Sequence, residues 1–83
     1  MDQIARTPKQ LGEIFRRRRR EMGITQEGLS QLIGLRQSTI SMLENSTADT
    51  RIGSLYNSMA ALDLELVIRP RTKSSAQEIE TLF

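Results

Sequence analysis

The sequence predicts a mainly α domain of four to five helices followed by one C-terminal β-strand. Three observations carry that reading. Apolar residues recur at helical spacing in several separate segments, each bounded by a capping Thr or a Gly. Two short helical segments flank a single glycine, Gly34. After Asp63 the hydrophobic period then switches from 3.6 to 2 in "LELVIRP".

The first helix starts at Thr7-Pro8, where Thr caps free N–H groups and Pro fits the first position because no donor is needed there. Leu11, Ile14, Phe15 and Met22 make its apolar side, and Gly23 offers a left-handed stop. Thr25 caps a second helix carrying Leu29, Leu32 and Ile33, which Gly34 ends; Leu35-Arg36 leads into a third with Ile40 and Leu43. Residues 45–49 read as a loop and Thr50 as the cap of a fourth helix with Ile52, Leu55, Tyr56, Met59 and Leu62. In the strand, Leu64, Leu66 and Ile68 alternate with Glu65, Val67 and Arg69 up to Pro70.

A single strand in a helical chain has no hairpin mate to satisfy its backbone. The expected solution is the same strand from a second subunit, paired antiparallel across a two-fold axis; the plainer one is an extended coil lying on its own domain. The expected division is an arm over 1–7, a helix-turn-helix domain over 8–62, a dimerisation strand over 63–70 and a flexible tail over 71–83. The tail begins polar and ends with Ile79, Leu82 and Phe83.

Composition narrows the chemistry. The 83 residues include no Cys and no His, so thiolate nucleophiles, disulfides and the commonest general base are missing. No enzyme, metal site or cofactor is expected, and a reducing cytoplasm fits. Nothing reads as a signal peptide or membrane span, so the expectation is a soluble protein without a membrane partner. The net charge is only +2, yet residues 1–44 hold eight basic and five acidic side chains, against four and five in the rest. The cationic half is the one expected to face an anionic partner.

That half contains "RRRRR", residues 16–20, whose side chains go round the helix. With Phe15 at the core, Arg16, Arg17 and Arg20 lie about 100°, 200° and 140° away, facing water or the anionic partner. Arg19 lies about 40° from Phe15 and Arg18 about 60° on the other side, so both need partners at or beside the buried face. For Arg18 the expectation is a snorkelling side chain or a pairing with an acidic residue such as Glu65 near the dimer seam.

Leu29, Ser30, Ile33, Gly34, Leu35, Ile40 and Leu43 fall where two helices at a sharp turn must bury apolar groups or come close. Two ordinary packed helices would explain that spacing, but not the polar face. "ITQEGLSQLIGLRQSTISMLEN" resembles the Cro/phage-repressor helix-turn-helix, a likeness extending over roughly residues 12–62 with Gly12, Phe15, Arg19 and Gly23 among its marks. The fold expected is thus a four-to-five-helix domain of that type, with the C-terminal strand pairing between subunits of a dimer.

The resemblance implies roles. Gln26 opens the second helix as a phosphate contact, and Thr39, Asn45 and the outward Arg20 join it on the backbone. Gln37, at the start of the recognition helix, is suited to an adenine edge and Arg36 to a guanine, with Ser38 and Ser41 beside them. Met42 stands where relatives often carry a polar reader, and Gly28 and Ser30 depart from the usual acidic residue and alanine. Glu44 is the implied partner of Arg19, stapling helix 1 to the recognition helix.

The ending "STADTRIGSLYNSMAALDLELVIRP" is similar to that of HipB-type antitoxins. This implies a homodimer that binds palindromic double-stranded operator DNA, represses its own operon and clamps a HipA-type kinase toxin. Ile79, Leu82 and Phe83 are then possible toxin contacts or a handle for proteolysis, the plainer reading being a disordered tail. Two alternatives stay open: a free-standing repressor without a toxin, and a protein-interaction module that no longer reads DNA.

Overall fold

The computed structural model describes residues 2–71. Most of the expected tail, with Ile79, Leu82 and Phe83, lies outside the described residues. Four helices follow in order: α1 Pro8–Glu21, α2 Gln26–Ile33, α3 Gln37–Asn45 and α4 Ile52–Ala61.

Local chemistry sets the ends of the first two. Thr7 Oγ1 accepts the Gln10 N–H at 3.1 Å with Pro8 at the first helical position, and Thr25 Oγ1 accepts the Gly28 N–H at 2.9 Å. α1 leaves through Gly23 at φ 69° and α2 through Gly34 at φ 71°. α4 leaves through Asp63 at φ 55°, which only this non-glycine among the described residues adopts. There the Leu64 N–H reaches Met59 O at 2.8 Å and the Asp63 N–H reaches Ala60 O at 3.2 Å, closing the orphan carbonyls of the last turn.

The expected cap at Thr50 is not made. α4 starts one residue later, after Arg51, without a side-chain cap. Thr50 instead closes a turn, its N–H bonded to Thr47 O at 3.0 Å. Thr47 anchors that loop to the start of α1, giving both its N–H (3.1 Å) and its hydroxyl (3.2 Å) to Pro8 O.

Phe15, Leu29, Ile40, Leu43, Met59 and Leu62 form the buried core, so each helix or its end contributes. Leu11, Ile24, Ile33, Leu35, Leu55 and Leu64 pack around it. The tightest helix contact is at Gly12, where a Cβ would lie 2.6 Å from Leu43 O and 2.8 Å from Glu44 O. No larger residue fits between α1 and α3.

Several apolar residues expected in helices are in them but not in the core. Leu32, Ile52 and Tyr56 are more than half exposed, and Met22 is also exposed. A core this small has room for one stripe per helix, and the remaining apolar groups stay outside.

The strand expected over 63–70 is not formed within the single chain. Residues 64–71 have no regular secondary structure, and the described residues contain no strand. Leu64 packs on the core, whereas Leu66 is 50% and Ile68 89% exposed. A lone extended segment has nothing to complete a ladder with, so its pairing groups and apolar side chains stay open. Together with residues 2–6 it borders a groove of about 580 Å³ over Leu11, Ile14, Phe15 and Met59.

Candidate nucleic-acid interface

α2 and α3 meet at the left-handed Gly34, and burial of Ile40 and Leu43 decides which side of α3 faces outward. Gln37, Ser41 and Asn45, spaced by four, lie along one outward line, and Ser38 and Met42 along the next. Arg36 stands at the N-cap of the same helix. Arg36, Gln37, Ser38 and Asn45 are exposed, while Ser41 and Thr39 are half-buried at the flanks. All four expected base readers therefore share one end or face of α3. Met42 is 62% exposed on that face, adding an apolar group among them.

Behind α3 lies a buried ionic cluster. Arg19 donates through Nε to Glu44 Oε2 at 2.6 Å and through Nη2 to Glu44 Oε1 at 3.0 Å. Its Nη1 donates to Ile24 O at 2.8 Å. The pair is nearly solvent-free, Arg19 being 8% and Glu44 3% exposed. The implied Arg19–Glu44 pair thus has the bidentate geometry that makes such contacts strong.

The sequence offered no sign of the third member. Gln26 Nε2 donates to Glu44 Oε1 at 3.1 Å, tying the N-terminus of α2 to the same carboxylate. Because an ionised carboxylate only accepts, this bond fixes which end of the Gln26 amide faces inward. This bond uses one of the two N–H donors of the Gln26 amide. The cluster links α1, the turn after it, the start of α2 and the end of α3.

The arginine run separates as its helical angles require. Arg16, Arg17 and Arg20 are exposed and form one surface with Glu13 and Glu21, so positive charge there is partly offset. Arg17 also donates to Gln3 Oε1 at 3.1 Å, holding the arm against α1. Arg18 meets acidic residues, as expected, but they are Asp63 and Glu21 and not Glu65. It donates through Nε to Leu62 O at 2.9 Å and lies 3.8 Å from both Asp63 Oδ2 and Glu21 Oε2. Leu62 is the C-cap of α4, so its carbonyl lies at the negative end of the helix dipole, which favours a guanidinium there.

Among the described residues no group of acidic side chains could hold a metal ion, and no helix is long and apolar enough to cross a membrane.

Comparison with known proteins agrees with this geometry. The Helix-turn-helix family matches residues 15–68, which include α2, α3 and α4 in full. Antitoxin HipB of Escherichia coli K12 is 28% identical over 74 residues, covering 89% of this chain and 84% of its own. An uncharacterized HTH-type transcriptional regulator, y4dL of Sinorhizobium fredii, is 40% identical over 57 residues; these are 69% of this chain but only 29% of the regulator. Among solved structures, HipB in a HipB-O4 20mer complex superposes with a TM-score of 0.77 at 28% identity, covering 87% of this chain and all of that one. A chain of the HipA-HipB-O2-O3 complex superposes equally well, with a TM-score of 0.77. A short domain with a glycine-turned helix pair, a polar outward α3 and this family match is unambiguous: the chain belongs to the helix-turn-helix family.

Proposed function

We propose that this chain is a sequence-specific DNA-binding antitoxin of a type II toxin-antitoxin system. It represses its own operon and neutralises a HipA-type kinase toxin. The observation that carries the reading is its likeness to HipB over nearly the whole of both chains, including the HipB of the HipA-HipB-O2-O3 complex.

In this reading a homodimer, paired through Leu64, Leu66 and Ile68, presents two copies of α3 to successive major grooves about 34 Å apart on a palindromic operator. Gln37 takes an adenine edge and Arg36 a guanine O6/N7 pair, with Ser38 and Ser41 adding single hydrogen bonds. Met42 offers an apolar contact to a thymine methyl. Gln26, Thr39, Asn45 and Arg20 hold phosphates and set the register without reading sequence. The protein acts by binding, not by catalysis, and works in the cytoplasm. Ile79, Leu82 and Phe83 are assigned to the toxin.

Gln37→Ala tests the reading of bases. It is expected to cost about 1–3 kcal/mol on the selected operator and little on random duplex, measured by titration at fixed salt. Equal losses on both would remove Gln37 from base recognition. Copurification with a kinase from the native host tests the antitoxin role. The second reading, a free-standing repressor, is favoured by the higher identity to the Sinorhizobium regulator. Operator binding with no kinase captured would favour that reading.

A further inference from the structure

The outward side chains of α3 and its cap differ in chemistry at one position. Arg36, Gln37, Ser38, Ser41 and Asn45 carry strong hydrogen-bonding groups, and none of these side chains is bonded within the chain among the described residues. Elsewhere serine hydroxyls are engaged: Ser30 donates to Glu27 O at 2.7 Å and Ser58 to Ser54 O at 2.8 Å. Met42 has neither a strong donor nor a strong acceptor, yet it is 62% exposed on the same line of α3 as Ser38. Helical side chains lean toward the N-terminus, so its thioether extends over the turn that holds Ser38. Ile40 and Leu43 are buried, which leaves Met42 alone as an exposed large apolar side chain on this helix. A single apolar group is too small a patch to hold a protein, but it matches one methyl group.

The base edges of a major groove limit what Met42 can meet there. N7, O6, O4 and N4 all need a hydrogen-bonding partner, and a thioether laid against one of them would displace water without replacing its bond. The exception is the C5-methyl of thymine. Cytosine has a bare C5–H at the same place, and 5-methylcytosine has the same methyl as thymine. The neighbouring hydroxyls do not separate these bases, because a serine can donate to the O4 of thymine and accept from the N4 amine of cytosine. At the base pair under Met42, the C5 substituent therefore carries the identity of the pyrimidine.

We propose that Met42 is a specificity-determining residue that reads a C5-methylated pyrimidine, favouring thymine or 5-methylcytosine over uracil or unmodified cytosine. This rests on the base-reading function proposed above and deepens it. Its consequence is that methylation of a cytosine at this position strengthens binding, so the affinity for a DNA site depends on the modification state of that site.

The test uses the full chain and duplexes that it selects from a random pool, titrated at fixed salt. Each thymine is replaced singly by uracil, which removes the methyl and leaves the pairing edge unchanged. Uracil at one thymine of each half-site is expected to weaken binding about fourfold, the effect of taking one methyl group out of contact. At that position 5-methylcytosine is expected to bind about fourfold more tightly than cytosine. Met42→Asn loses both differences, whereas Met42→Leu, still apolar, retains them. The duplex comparisons need no variant, so they decide the matter even if Met42→Asn fails to fold. Uracil without effect at every thymine, or no gain from 5-methylcytosine over cytosine, overturns methyl reading and leaves the DNA-binding function standing. Differences that persist in Met42→Asn assign the methyl to another side chain or to duplex shape and overturn the role of Met42. Selection that enriches no duplex overturns the base-reading function itself.

Discussion

Glu44 accepts from Arg19 twice and from Gln26 once while almost wholly out of solvent. Replacing Arg19 by Ala would leave that carboxylate buried beside one amide, and replacing Glu44 by Ala would leave the guanidinium with only the Ile24 carbonyl. Either change is expected to cost about 3–5 kcal/mol, read as a lower urea midpoint at unchanged slope. A loss below about 1 kcal/mol would mean that water enters and solvates the survivor. Arg20 is a different case, being exposed with Glu21 and Glu13 close by. Arg20→Ala should weaken binding to operator and random duplex alike and reduce the salt slope by about one. Unchanged binding would make Arg20 a merely solvated charge.

At the scale of the elements, the position of the recognition helix depends on how closely α1 approaches it. Gly12 sits against the carbonyls of Leu43 and Glu44 at distances that no Cβ tolerates, and those atoms are backbone. Gly12→Ala is therefore expected to destabilise by about 1–3 kcal/mol and to push α3 outward, lowering operator affinity as well. Preserved stability and affinity would show that α1 slides without consequence. The helix ends were legible where a local side chain makes the cap, as at Thr7 and Thr25, or where glycine must turn left, as at Gly23 and Gly34. Thr50 misled because a Thr just before an apolar period is equally suited to a turn, and here the loop anchored by Thr47 claims it.

For the whole molecule the balance is thin. A chain of this length buries only about 60% of its unfolded surface, and Leu32, Ile52, Tyr56, Val67 and Ile68 remain largely open. Association is the natural complement, and it makes stability depend on concentration. The midpoint of thermal unfolding should rise as the protein is concentrated from micromolar to hundreds of micromolar. An invariant midpoint would indicate a fold that is complete as a monomer.

The sequence by itself determined the helical order, the glycine turn between α2 and α3, the face on which Gln37, Ser38 and Ser41 emerge, and the split of the arginine run around α1. These follow from periodicity and capping, which act over a few residues and leave their mark in local order. Only the tertiary structure decided that Gln26 shares Glu44 with Arg19, that Arg18 closes the end of α4 instead of meeting Glu65, and that Leu32, Ile52 and Tyr56 stay outside the core. Those outcomes join residues 18 to 44 positions apart in the chain or depend on how much core there is to share. Spacing along the chain carries no record of which distant carbonyl or carboxylate a long side chain will meet.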